Sequence, residues 1–295
     1  MQTTATREAL NLPGVNTSLI PNICPADFTK TTQLLREFFL KRGFLEVHTQ
    51  NRLSIMAACE DPNTIATYEY QGEIWPLPQT GQMWLEYELL NNPEAEGFFC
   101  LSTSYRNEKH PIVGRHNLIF PMFEFEFKGN LKDLEVMERE LLEYLGFGAA
   151  ESFSGGNYAD IAKMYDVKMI ENEQEQRINE ELTNPFFLRN FPEYTSPFWN
   201  MKRNEGGETA KKIDVIIHGM ETIGSAERSV DPVQMKHSFL TIEDGKYCQK
   251  LYDLFGEERV LAEFNHFLSL NFMERVGGGI GLGRLIKGLK LSNLI

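Results

Sequence analysis

Residues 118–127 constrain the fold more than any other stretch: LIFPMFEFEF alternates phenylalanine with glutamate almost without interruption. A period of two means a strand whose successive side chains leave on opposite faces, so Glu124 and Glu126 share one face of a sheet and the phenylalanines take the other. The preceding FFCLSTSYR, from Phe98, has the same β texture, and NEKHPIVGRHN between them is polar and turn-rich. Together they predict a hairpin with a long loop.

Around that hairpin the period changes. DFTKTTQLLREFFLKRG places Thr31, Leu34, Leu35, Phe38 and Phe39 on one helical stripe ended by Gly43, and FLEVHT after it is a strand candidate. LKDLEVMERELLEYLG, with Leu131, Leu134, Met137, Leu141 and Leu145, is an amphipathic helix ended by Gly146. KKIDVIIHGME is a strand candidate with Ile213, Val215 and Ile217 on one face, and GEERVLAEFNHFLSLNFM is a helix before a glycine-rich end. Residues 148–184 are polar and mixed and are read as a helical insertion between two halves of the fold. Helices mixed with hairpins outside a regular βαβ rhythm imply an α+β fold around an antiparallel sheet.

The length of 295 residues, with 42% apolar and 24% charged side chains, is that of a globular enzyme and excludes a disordered or fibrous chain. A net charge of −13 argues against a nucleic-acid groove running over the whole surface. The four cysteines, Cys24, Cys59, Cys100 and Cys248, form no CxxC pair, so neither a disulfide framework nor a zinc site is expected. No stretch has the apolar length of a signal peptide or a membrane span, and a cytoplasmic location is expected.

Three groups of residues could carry chemistry. In VGGGIGLGRL no register satisfies GxGxxG and no Lys-Ser/Thr pair follows, which leaves Gly279, Gly281 and Arg284 at a helix start, suited to phosphate; taken alone, the run is equally a flexible turn. In YRNEKHPIVGRHNLIFPMFEFE, Arg106 and Glu108 close one strand, Lys109, His110, Arg115 and His116 sit in the loop, and Phe120 opens the return. Arginines, carboxylates and an aromatic platform on one sheet are the parts of an ATP-magnesium site, although a solvated hairpin tip would look similar. Asp214 and Glu221, followed by Arg228, are candidate magnesium carboxylates, since that cation prefers oxygen ligands and shares substrate phosphates.

In this order the three groups resemble the catalytic domain of class II aminoacyl-tRNA synthetases. LREFFLKRGFLEVHTQ resembles motif 1, YRNE with RHNLIF and FEFE resembles motif 2, and GGGIGLGRL resembles motif 3. PLPQTGQMWLEYELL, NPFFLRNFPEYTSPFWNMK and HGMETIGSAERSVDP are similar to the aspartate and asparagine members. The likeness runs from about Phe28 to Leu289 and defines a domain over 27–295 behind an extension over 1–26.

The resemblance implies an AMP-forming ligase that uses ATP and Mg2+ to convert an Asp- or Asn-like amino acid into an aminoacyl adenylate. Carried over position by position, Arg106 binds the α-phosphate and the amino-acid carboxylate, and Glu108 lies near the adenine or amino group. Arg115 and His116 contact the outer phosphates. Phe120 stacks on adenine, with Gly281 and Arg284 opposite, Arg284 at the γ-phosphate. Asp214 and Glu221 match the magnesium carboxylates, Arg228 reads the substrate side chain, and Gln82 falls in the amino-acid pocket. Glu227 accepts from an amide nitrogen if it turns inward; strand alternation would send it to the opposite face.

Leu85 stands where the aspartate enzymes carry a lysine, which favours asparagine over aspartate. Gln50 replaces the proline that closes motif 1 at the homodimer contact of the family. Only about 25 residues precede motif 1, so the usual N-terminal anticodon-binding barrel is not expected. The acceptor stays open among ammonia, as in synthetase-related asparagine synthetases, tRNA, a protein side chain and a small amine. A catalytically silent ATP-binding paralogue is the reading of another class.

Overall fold

The structure, a computed structural model, describes residues 23–49, 53–56, 60–111 and 117–295. The chain opens with α1 (Pro25–Lys41), whose stripe buries Leu35, Phe38 and Phe39, and Gly43 adopts the positive φ that ends it. The strand expected after it, β1 (Leu45–Glu46), lasts two residues: both side chains are exposed at the sheet edge, so no burial extends it. A small ribbon of β2 (Thr67–Tyr70) and β3 (Glu73–Pro76) leads to α2 (Gln82–Asn91).

The hairpin follows as β4 (Gly97–Tyr105) and β5 (Ile119–Lys128), then α3 (Leu131–Tyr144), which begins in a capping box between Asn130 and Asp133. Next come β6 (Ser154–Asn157), α4 (Tyr158–Met164), α5 (Asn172–Glu181) and β7 (Phe186–Pro192). A hairpin of β8 (Thr209–Ile217) and β9 (Met220–Glu227) precedes α6 (Pro232–Thr241), α7 (Lys246–Phe255) and α8 (Glu257–Leu268). The chain finishes with β10 (Arg275–Gly281) and α9 (Leu282–Leu291).

Eight strands form one sheet in the order β1-β4-β5-β10-β9-β8-β7-β6. Pairing is antiparallel except at the two ends, where β1 runs parallel to β4 and β6 parallel to β7. On the back face the alternating Phe123 and Phe125 meet Ile213, Val215, Ile217, Ile223, Val276 and Ile280, all fully buried, with Phe39 of α1, Leu141 of α3 and Leu285 of α9 over them. On the front face a second cluster around Trp199, Phe239 and Phe264 anchors α6, α7 and α8, and a third around Ile178 and Leu188 anchors α4 and α5. The mixed segment 148–184 thus supplies an edge strand and two covering helices.

The glycine-rich run is a central strand rather than a turn. A Cβ on Gly277 would collide with Glu126 Oε2, and one on Gly278 would lie 2.6 Å from Ser225 Cβ. The glycines clear room for side chains of the neighbouring strands, and Gly281 alone stands at the helix start, as the N-cap of α9. Among the described residues no helix is long and apolar enough to cross a membrane.

Candidate active site

The front face of the hairpin builds one wall of a cavity. Phe120, Met122, Glu124 and Glu126 alternate toward it along β5, and Arg106 continues the same face just beyond β4. Arg106 is held there by its backbone N–H donating to the Leu118 carbonyl at 2.7 Å, and its guanidinium lies 5.5 Å from the centroid of the Phe120 ring. The lining continues across the neighbouring strands β10 and β9 and the first turn of α9. There Arg284 Nη1 donates to the Glu221 carbonyl and lies 3.9 Å from its carboxylate.

The cavity, about 380 Å³, is lined by Arg106, Glu108, Phe120, Glu221, Gly279, Gly281 and Arg284, and further by Glu60, Asp61, Met122, Lys212, Gly224 and the turn from Thr195 to Phe198. Six residues expected from sequence at the nucleotide and metal positions therefore share it: Arg106, Glu108, Phe120, Gly281, Arg284 and Glu221. Arg115 and His116 lie outside the described residues, as does Gln50. A second cavity, between α2 and α8, is lined by Leu53, Trp84 and Tyr87 and holds none of these groups.

Under the cavity floor runs a fully buried ionic cluster. Arg228 Nε and Nη2 donate to the Glu126 carboxylate at 3.0–3.4 Å, and Nη2 also donates to Gln82 Oε1 at 2.8 Å. Arg275 Nη2 and Nε bind Glu86 at 2.6 and 3.0 Å, and Glu86 also accepts from Asn200 at 2.7 Å. Glu124 accepts from the Gly81 N–H at 2.7 Å and from the Thr80 and Ser102 hydroxyls. Burial raises the pKa of Glu124 and of Glu126, and Arg228 opposes that rise. Three buried carboxylates, Glu86, Glu124 and Glu126, thus face two buried guanidiniums, Arg228 and Arg275.

This packing changes the substrate subsite expected from sequence. Gln82 and Arg228 come together, yet below the cavity surface. Gln82 Nε2 has no hydrogen-bond partner among the described residues and lies 3.3 Å from where a Gly279 Cβ would stand. Because Arg228 can only donate, the Gln82 oxygen is committed and its NH2 remains the donor facing that floor. Leu85 faces away, in an apolar cluster with Leu89, Phe98 and Cys100. Glu227 follows strand alternation to the back face, where it pairs with Lys202 at 2.6 Å and Lys211 at 3.0 Å. Neither residue borders the cavity.

Asp214 is likewise kept from the cavity surface. It is on the front face of β8, but its Oδ2 accepts from Lys212 Nζ at 2.8 Å and it does not line the cavity. Burial raises its pKa, Lys212 opposes this, and Glu221 adds to it. Among the described residues no group of three His, Cys, Asp or Glu could hold a metal. Magnesium usually takes one or two protein carboxylates and fills its shell from phosphates and water, a use that suits Glu221, 42% exposed in the cavity wall; Asp214 has Oδ2 tied to an ammonium and is more deeply buried. Lys212 was the residue to find by sequence: two positions before Asp214, it shares its face by strand period.

The family model for class II tRNA synthetases (D, K and N) matches residues 26–295. A lysine–tRNA ligase from Campylobacter jejuni is 24% identical over 88% of this chain and 59% of its own length, and an asparagine–tRNA ligase from Desulforamulus reducens 25% over 86% and 62%. The chain spans about 60% of the length of these curated relatives. The crystal structure of asparaginyl-tRNA synthetase from Pyrococcus horikoshii with asparaginyl-adenylate has the same fold, with a TM-score of 0.71 and 22% identity over 91% of this chain and 66% of that one.

Proposed function

The chain belongs to the class II tRNA synthetases of the D, K and N group, and from that premise we propose that it activates an amino acid with ATP, forming an aminoacyl adenylate and pyrophosphate. The observation that carries this reading is that Arg106, Phe120, Glu221 and Arg284 line one cavity. In the step, an oxygen of the amino-acid carboxylate bonds to the α-phosphorus and the bond to pyrophosphate breaks. Negative charge develops on the phosphoryl oxygens, and fixed guanidiniums stabilise it without a covalent protein nucleophile. Arg106 meets the α-phosphate, Phe120 offers its ring to the adenine, and Arg284 takes the leaving phosphates. Magnesium bound with ATP supplies further positive charge, and Glu221 is the carboxylate that would hold it.

For the amino acid we propose an Asn-like side chain ahead of an Asp-like one. The charge of Arg228 is already balanced by Glu126, Leu85 brings no ammonium, and Gln82 offers a neutral donor. A neutral acceptor such as an amide oxygen suits that floor better than another carboxylate. The acceptor of the activated group is proposed only as a nucleophile of the ammonia, amine, protein or tRNA type, and the assembly as a homodimer. The test is amino-acid-dependent exchange of labelled pyrophosphate into ATP across the common amino acids. Exchange with asparagine above aspartate is expected, and no exchange with any amino acid would overturn the proposal.

A further inference from the structure

Of the cations in the cavity wall, Arg106 and Arg284 have a part in the proposed reaction and Lys212 has none. On β8 it pairs with Ala226 of β9, and its ammonium is held from two sides: by Asp214 Oδ2 at 2.8 Å and by the ring of Phe191, 4.0 Å away. Its side chain is 21% exposed and lines the cavity, whereas that of Asp214 is 9% exposed and does not. The other carboxylate oxygen of Asp214 has no hydrogen-bond partner among the described residues. The ammonium at contact distance from Oδ2 would repel a divalent cation brought to the same oxygen.

We propose that Lys212 is an anion-binding residue of the cavity, positioned by Asp214, and that it binds a phosphate of ATP or the carboxylate of the amino acid. The chemistry is shared by both sources: an anionic oxygen accepting from a fixed, half-sheltered ammonium. Arg106, Lys212 and Arg284 then place three cations in the lining of one cavity, beside the carboxylates Glu60, Asp61, Glu108 and Glu221. Asp214 acts through Lys212 by holding the ammonium toward the ligand. This reading rests on the proposed activation reaction for the identity of its ligands, but its test does not depend on turnover.

The experiment is calorimetric binding of ATP in EDTA, and separately of asparagine, to the parent, Lys212→Arg, Lys212→Met and the double variant Lys212→Met/Asp214→Asn. Lys212→Met alone leaves a buried carboxylate without its partner, so it is read alongside the double variant, in which the pair is removed and no charge is stranded. The double variant is expected to unfold within a few degrees of the parent and to bind one of the two ligands at least tenfold more weakly, with Lys212→Arg recovering most of the loss. Loss with ATP assigns the ammonium to phosphate, and loss with asparagine assigns it to the carboxylate. Parental affinity of the folded double variant for both ligands would overturn the proposal. A parent that binds ATP through Lys212 yet shows no pyrophosphate exchange would leave this inference standing and remove the activation reaction.

Discussion

Arg284 stands in the first turn of α9 with its guanidinium turned toward Glu221, and the proposed phosphate role requires it to exchange that contact for the ligand. Arg284→Ala should remove a charge-assisted contact of about 1.5 to 3 kcal/mol, which steady-state kinetics would show as a roughly ten- to hundredfold loss in kcat/KM for ATP. An unchanged value would take Arg284 out of the phosphate site. Leu85 carries the opposite expectation. Its side chain is fully buried with Leu89 and Phe98, so Leu85→Lys should lower stability by about 3 to 5 kcal/mol in denaturant unfolding. A parental midpoint with a shift toward aspartate would mean that position 85 faces the substrate. Strand residues were the legible ones, because a period of two fixes a side chain's face: Arg106 and Phe120 share a wall, and Glu227 leaves by the other. Leu85 was not legible, since aligned text does not say which side of a helix meets the sheet.

The strand β10 shows how an element can be misread while its importance is clear. Seven residues with four glycines have the composition of a loop, yet the strand lies between β5 and β9 at the centre of the sheet. What the composition conceals is that the missing side chains belong to its neighbours: Glu126 fills the space beside Gly277, and Met122 reaches over Gly279. Gly277→Ala should therefore displace the Glu126 carboxylate from Arg228 and cost about 3 to 5 kcal/mol, the range for breaking a buried ion pair. Gly281→Ala, whose Cβ meets nothing closer than 3.8 Å, should change the unfolding free energy little. Equal effects of the two substitutions would contradict this picture of the strand. The edge segment 148–184 gave no periodic signal because it is divided among a short strand and two short helices, and Glu175 of α5, which accepts from the Glu221 N–H at 3.1 Å, could not be anticipated from it.

At the scale of the whole molecule, the antiparallel α+β sheet was legible from the phenylalanine-glutamate hairpin, and the burial of charge beneath it was not. Glu138, fully buried on α3, has its pKa pushed up to about 8, chiefly by burial, with Glu135 and Asp214 adding to it and Ser225 and Arg139 opposing. The folded state therefore keeps a proton that the unfolded chain, with an ordinary value of 4.5, has already released. Its contribution to stability is full below about pH 4.5 and declines as pH rises toward 8. Glu138→Gln should flatten that decline in unfolding free energy measured between pH 5 and pH 9, and an unchanged slope would assign it to other groups. What the cavity makes can be weighed directly. Incubation of the protein with ATP, magnesium and asparagine, followed by native mass spectrometry, should show the mass of one bound asparaginyl adenylate on the parent and none on Arg106→Ala; a parent that carries only intact ATP with every common amino acid would contradict the proposed activation.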